Sequence, residues 1–246
     1  MADALEQAII ASLRATAGLP VRTELRILAD PQHGVDADTP QLVIAGHDTR
    51  WLRVWRNRRC LVASRRQGRL PHFAKAAAAS AAVGWPVAVR RSGGTTVAHR
   101  PGVLNISLVS LCAGDSNPGM QQDYLALLEI IARALAPLGI AAGHGAVAGA
   151  HCDGRYNLVW QGRKLAGTAG FVTRVNGMGL RVFHASLAVD GDLAADLAAI
   201  ARFERMLGEN PQYDTQSHVS VAQILADRNT RPTGSIPQRA TQTGER

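Results

Sequence analysis

Acidic residues are missing from a long stretch of this chain: none lies between Asp48 and Asp115. The same stretch holds Arg50, Arg53, Arg56, Arg58, Arg59, Arg65, Arg66, Arg69, Lys75, Arg90, Arg91 and Arg100, and the chain as a whole carries a net charge of +8. A surface biased in this way would attract an acidic partner, whether nucleic acid, an acidic protein or a phosphorylated small molecule. Solvated arginines are the plainer reading of the same bias. Aromatic residues are also scarce, at 4 Trp, 3 Tyr and 4 Phe. Nucleic-acid modules interleave aromatics with basic residues. Here Trp51, Trp55 and Phe73 are a sparse set, and no zinc or helix-turn-helix signature accompanies them, which argues against nucleic acid. With so few aromatics, a ligand cavity is expected to be lined by aliphatic side chains. No apolar run comes near the roughly 18 residues that a membrane span needs. The cysteines, Cys60, Cys112 and Cys152, are odd in number and far apart. The N-terminus, MADALEQAIIASLR, reads as an amphipathic helix, not a secretory signal. A cytoplasmic protein with free thiols and no membrane attachment is expected.

What is present reads as α+β. Ala4–Thr16, Phe73–Val83, Asp123–Leu138 and Leu193–Leu207 have helical composition or periodicity. In the third of these, Leu125, Leu128, Ile131, Leu135 and Leu138 share one face. Trp51–Ser64, Val87–Val89 and Val103–Leu111 read as strands, and Asp30-Pro31 and Thr39-Pro40 as turns. The expected architecture is a mixed sheet packed by helices. Residues 1–228 are expected to form a single domain. From Asn229 the chain turns polar, with Pro232, Gly234 and Pro237, and 229–246 reads as a disordered tail.

Three segments could carry chemistry. His151–Gly170 (HCDGRYNLVWQGRKLAGTAG) contains two short strand patterns, Tyr156–Trp160 and Arg163–Ala169, joined by Gln161-Gly162. This is a hairpin signal. Folding back brings Cys152 and Lys164 towards one pocket, although twelve positions separate them. A nearby ammonium favours the nucleophilic thiolate, and Gly167 and Ala169 leave room beside the lysine. In Arg90-Arg91-Ser92-Gly93-Gly94-Thr95-Thr96-Val97-Ala98-His99, a strand runs into paired arginines, a Gly-Gly turn and a second strand. Consecutive glycines let backbone N–H groups approach a carbonyl or phosphate. Arg181–Leu187 alternates as a strand and aims His184 at a site or into the core. Taken one at a time, each segment also has a plain structural reading: a surface turn, a buried thiol, a core histidine.

In this order and spacing the segments resemble the superfamily of lipoate–protein ligases, octanoyltransferases and biotin–protein ligases. Gly162–Ala169 resembles its lysine motif, Arg90–His99 its lipoyl-binding loop, Phe183–Leu187 the following His strand, and Trp55–Gln67 (WRNRRCLVASRRQ) the strand before the loop. The resemblance implies that superfamily's fold, a largely antiparallel mixed sheet packed by helices. The binding loop departs by one position, so that Arg90 matches the family's second arginine and Arg91 falls in the variable place. The ATP-dependent ligases carry an Asn-Asp pair before the lysine motif, where this chain has Tyr156-Asn157. Magnesium prefers carboxylate oxygens, and Asp153 is the nearby substitute. A chain of 246 residues also leaves no room for the accessory domain of the larger ligases. Cys152-Asp153-Gly154-Arg155-Tyr156 is similar to the cysteine segment of the cysteine-dependent octanoyltransferases and amidotransferases.

The resemblance implies a catalytic-type domain that moves an octanoyl or lipoyl group to a lysine of a small acceptor domain. Cys152 would form the acyl-enzyme, and Lys164 would lower the thiol pKa and stabilise the oxyanion. Arg90, Arg91, Ser92, Gly93, Gly94, His99, Gly167, Thr168 and His184 would bind the substrate. The donor would be an acyl carrier protein or a lipoylated domain, and no cofactor or metal would be required. The alternatives are an ATP- and magnesium-dependent lipoate ligase, with Lys164 on an acyl-adenylate, and a non-catalytic binding protein of the same fold.

Overall fold

The computed structural model describes residues 2–37, 49–112, 119–175 and 177–230. The Thr39-Pro40 turn and the tail from 231 onward lie outside them. Ten strands and six α-helices follow one another as α1 (Ala2–Thr16), β1 (Val21–Glu24), α2 (Pro31–Asp36), β2 (Thr49–Trp55), β3 (Cys60–Ser64), α3 (Phe73–Ala82), β4 (Val87–Arg90), β5 (Val97–His99), β6 (Val103–Cys112), α4 (Met120–Leu135), β7 (Gly143–Gly145), β8 (Asn157–Trp160), β9 (Arg163–Val175), β10 (Met178–Ala188), α5 (Leu193–Met206) and α6 (Val221–Thr230). The α+β expectation holds, with a largely antiparallel sheet packed by helices. Among the described residues, no helix is long and apolar enough to cross a membrane.

The strands form two sheets where the sequence suggested one. The larger runs β1-β2-β6-β10-β9-β8-β7, and the smaller runs β4-β3-β5. Within the larger, among the described residues, β1 and β2 pair in parallel and the other neighbours antiparallel. The two strands flanking the Arg90–Thr96 loop do not pair with each other. Each pairs with β3, β4 in parallel and β5 antiparallel. The loop therefore crosses over the end of β3 instead of closing a hairpin. The Gln161-Gly162 turn does close one: Trp160 opposes Arg163, and the turn residues have φ of +47° and +76°. Positive φ at both positions is the signature of a two-residue type I′ connection, whose twist matches that of paired strands.

One face of the large sheet is dry. Leu52 and Val54 of β2, Leu104, Ile106 and Leu108 of β6, and Phe183, Ala185 and Leu187 of β10 pack against Ile9, Ile10 and Leu13 of α1 and against α4. The buried side of α4 is Leu127, Leu128, Ile130, Ile131, Ala134 and Leu135. Leu125 and Leu138, expected on that stripe, are only half-buried, because the helix starts at Met120 and ends in a 3-10 turn at Ala136–Leu138. The opposite face of the large sheet turns towards the small one. Leu61, Ala63 and Ala98 of the small sheet pack on Ala199, Ile200 and Phe203 of α5 and on α3. Strand alternation then directs Val62 and Val97 back towards the large sheet, and both line the cavity between the sheets. Two smaller expectations change. Asp30-Pro31 is the N-cap and first residue of α2, with the Asp30 carboxylate accepting from the Gln32 N–H at 2.9 Å. Asn229 and Thr230 belong to α6, not to a disordered tail.

Candidate active site

The site is built around two tight backbone turns that meet. The first is the Arg90–Thr96 loop, held from within by Arg90. Its guanidinium is buried and donates to the carbonyls of Val62 (2.8 Å), Gly93 (2.8 Å) and Thr95 (2.7 Å). Glu204, an acid on the buried face of α5 and 1% exposed, holds the loop from outside. It accepts from the Thr96 N–H at 3.0 Å and from the Tyr213 hydroxyl at 2.5 Å. Gln67 joins this network, with Nε2 donating to Glu209 at 2.9 Å and Oε1 accepting from the Ser64 N–H at 3.1 Å. Burial and the adjacent Glu204 carboxylate push the Tyr213 hydroxyl well above its ordinary pKa.

The second turn carries Cys152, which has a φ of +45°. Left-handed backbone is uncommon for a residue with a Cβ. Lys164, 3% exposed, holds this turn: its ammonium donates to the His151 carbonyl at 2.5 Å and to the Cys152 carbonyl at 3.2 Å. Burial lowers the Lys164 pKa to about 8, and the neighbouring Cys152 and Asp153 act the other way. Gly167 provides the space, since a Cβ there would lie 3.0 Å from Nζ. The His151 N–H donates to His218 Nε2 at 3.3 Å, and the two rings stack at 5.1 Å. His218 Nδ1 lies 3.0 Å from the Asp214 carbonyl, which fixes it as the donor nitrogen. Burial, first of all, and the Lys164 charge lower both ring pKa values, with the Asp214 carbonyl acting the other way on His218.

The turns meet at the sulfur. The Thr95 N–H donates to Cys152 Sγ at 3.3 Å, and the Arg90 guanidinium lies beside the same sulfur, both within reach of Gly94. Gly94 has a φ of +91°, and a Cβ there would fall 2.8 Å from Sγ. Only glycine fits at that point. Arg90 thus lies beside the thiol, and Lys164, also close enough to feel its charge, grips the backbone that presents the cysteine.

The half-buried Cys152 lines a cavity of about 610 Å³, counted to its open mouth. Val35, Val62, Val97, Trp55 and Phe171 give it apolar walls. Of the residues proposed from sequence, Arg90, Arg91, His99, Cys152, Gly167, Thr168 and His184 all line it. Arg91 is exposed and lies over the Phe171 ring. The Thr168 hydroxyl donates to the Tyr156 carbonyl at 2.6 Å. Ser92 sits just behind, its hydroxyl 3.0 Å from His184 Nε2. Gly93 stays at the surface and contributes its carbonyl to Arg90. Lys164 faces a second cavity together with His151 and His218. Sequence reasoning missed Glu204, Tyr213, Asn105 and the His151/His218 stack as parts of the site. Glu204 carried a signal, an acid four residues after Ile200 on an apolar helix stripe.

The basic stretch does not form one uniform face. Arg53 pairs with Glu24, Arg56 with Asp3 and Glu6, Arg66 with Glu209, and the buried Arg100 with Asp196. The acids missing from this stretch are supplied by other parts of the chain. Arg50, Arg58, Arg59, Arg65, Arg69, Lys75 and Arg91 remain exposed.

A loop–cysteine–lysine constellation between a seven-stranded and a three-stranded sheet defines a class. Residues 36–230 match the lipoyl protein ligase A/B catalytic domain, and the chain belongs to that family. Among its relatives is the octanoyl-[GcvH]:protein N-octanoyltransferase of Kyrpidia tusciae, 35% identical over 201 residues, which are 71% of this chain and 66% of that one. An uncharacterized protein of Cupriavidus necator is 38% identical over 156 residues, 58% of this chain and 61% of its own length. The lipoyl-[GcvH]:protein N-lipoyltransferase of Listeria monocytogenes is 26% identical over 161 residues, 65% of this chain and 56% of its own. The chain thus spans between 56% and 66% of the length of these three relatives. The crystal structure of lipoate-protein ligase A bound with ATP superposes with a TM-score of 0.58 at 18% identity, covering 85% of this chain and 94% of that one. At that identity the likeness speaks for the fold.

Proposed function

We propose that this chain is an acyltransferase that moves an octanoyl or lipoyl group to a lysine of a small lipoyl-acceptor domain through a Cys152 acyl-enzyme. One observation carries the reading: the sulfur sits on a left-handed turn at an apolar cavity, where it meets both the Arg90 guanidinium and the Thr95 N–H. Both groups are placed to stabilise charge on the sulfur as it reacts. The thiolate attacks the carbonyl of an acyl thioester, the donor's C–S bond breaks, and the donor thiol leaves with a proton. The amine of the acceptor lysine then attacks the Cys152 thioester and forms the amide, and the sulfur returns to thiol. Lys164 has three N–H donors. Two hold the cysteine turn, and the third is left for the tetrahedral oxyanion. The names of the relatives support an octanoyl or lipoyl group and a GcvH-type acceptor. The donor is an acyl carrier protein or another lipoylated domain.

The second cavity, beyond Lys164, favours a different reading, an ATP-dependent ligase that forms an acyl-adenylate. Two nearby carboxylates already have partners within the chain. Asp196 is bound through both oxygens by Arg100, and the Oδ1 of Asp153 accepts from the Val147 N–H and from Asn157 Nδ2.

Intact-mass measurement separates these readings. Incubation with octanoyl carrier protein should add one octanoyl group to the wild type and none to Cys152→Ala. Subsequent addition of a lipoyl domain should remove it. An acyl group on the acceptor only when lipoate and ATP are supplied would overturn the acyl-enzyme in favour of the ligase.

A further inference from the structure

We infer that the far end of the cavity recognises a hydrogen-bond acceptor near the tip of the acyl chain, so that the preferred substrate is an acceptor-tipped medium-chain acyl group and not plain octanoyl. The inference rests on the acyltransferase reading for the ligand being an acyl chain. The register places Gly167, Ser186, Asn105 and Trp55 in one row across β9, β10, β6 and β2, and all four line the cavity. The thiol lies at the β9 end, since Lys164 of that strand, with Gly167 beside its ammonium, holds the cysteine turn. Neighbouring strands are about 4.8 Å apart, so Asn105 stands roughly 10 Å from Gly167 across the sheet, about the length of an eight-carbon chain.

That end of the cavity is polar. His99 Nε2 lies 3.1 Å from Ser186 Oγ, and the Ser186 hydroxyl donates to Asn105 Oδ1 at 2.8 Å. Asn105 is 2% exposed, and its Nδ2 has no hydrogen-bond partner. An amide nitrogen carries two N–H donors, and leaving them buried and unpaired is costly. A methyl-tipped chain would leave them so. Hydroxyl or carbonyl oxygen would satisfy them, and the ring sulfurs of a lipoyl group would do so more weakly.

The test is calorimetric binding of octanoate, lipoate and 8-hydroxyoctanoate to the wild type and to Asn105→Leu. The wild type should bind 8-hydroxyoctanoate about tenfold and lipoate about threefold more tightly than octanoate. Asn105→Leu should bring octanoate level with or ahead of both. Wild-type affinity for octanoate equal to or above the other two would overturn the inference and assign the Asn105 amide to a trapped water. The wild-type ranking decides the matter even if the variant does not fold. Adduct formation at Cys152 from the three corresponding thioesters, read in parallel by intact mass, tests the acyl-enzyme separately. The binding ranking stands or falls without it.

Discussion

The same strands show two different faces. Towards α1 and α4, β6 presents Leu104, Ile106 and Leu108, and β10 presents Phe183, Ala185 and Leu187. Towards the small sheet, β6 presents Asn105 and Ser107, and β10 presents His184 and Ser186. Both sets are largely withdrawn from water: Asn105 and Ser107 are buried, and His184 and Ser186 are half-buried. The helical side needs only packing, because apolar side chains satisfy one another by contact. On the cavity side each polar atom must find a partner or a ligand, because burying it alone is costly. The helical face thus supplies stability, and the cavity face spends some of it on a site.

Substitutions on each face should break this contrast in opposite ways. The largest effect belongs to Cys152→Ala, which should lower acyl transfer by about a thousandfold or more, as expected for loss of a nucleophile. Its thermal midpoint should match the wild type. Undiminished transfer would remove Cys152 from the chemistry. Phe183→Ala, on the dry face, should do the reverse. It should cost about 3–5 kcal/mol in urea unfolding, while the folded fraction transfers at the wild-type rate per molecule.

Gly94→Ala strikes the contact between the two turns. A Cβ at a φ of +91° and 2.8 Å from the sulfur forces the loop away from Cys152. Acylation should fall by about a hundredfold, with a stability loss of roughly 1–3 kcal/mol. Unchanged acylation would show that the loop does not position the thiol. Lys164 sharpens the contrast through pH. Its folded pKa of about 8 lies below the ordinary 10.5, so the unfolded chain binds more protons between those values. The burial penalty is therefore fully present below pH 8, and stability should rise with pH from about 8 to 10.5. Acylation should fall as pH rises through about 8, where the folded lysine loses its proton, because the neutral amine is a poorer clamp on the His151 and Cys152 carbonyls. Lys164→Met should abolish that descending limb in the pH–rate profile while lowering the plateau. A limb that persists in the variant belongs to another group.

The smallest effect is electrostatic. Four of the arginines between Asp48 and Asp115 are paired within the chain. Raising salt from low ionic strength to 0.5 M should therefore raise the KM for an acidic carrier protein only a few-fold, roughly as expected for screening of exposed charges. An effect of a hundredfold would mean that the arginines act as one docking face.

Much of this was legible in the residues. The hairpin at Gln161-Gly162 followed from a Gly-containing pair between two short strand patterns. The helices followed from apolar spacing, and Arg90, Gly94, Cys152 and Lys164 stood out by type. The polar face of β6 was also written in VLNISLVSL, where Asn105 and Ser107 alternate with leucine and isoleucine. Period-two alternation by itself, however, reads as a strand with one wet face. Nothing local to β6 says that a second sheet covers it.

The sequence by itself determined the local conformations and their chemical inventory, because backbone preference, strand period and side-chain type act over a few residues. It determined the glycine that lets the loop approach the thiol and the lysine that follows the turn. Only the tertiary structure decided which cation meets the sulfur. Arg90 reaches it because β4 and β5 flank β3 and swing the loop over the Cys152 turn, while the β8–β9 hairpin draws Lys164 beneath that turn onto its carbonyls. It also decided where the missing acids come from, since Glu24, Asp196 and Glu209 reach the arginines only across folded elements. Such pairings depend on distances between segments far apart in the chain, and those distances are set by sheet register and packing.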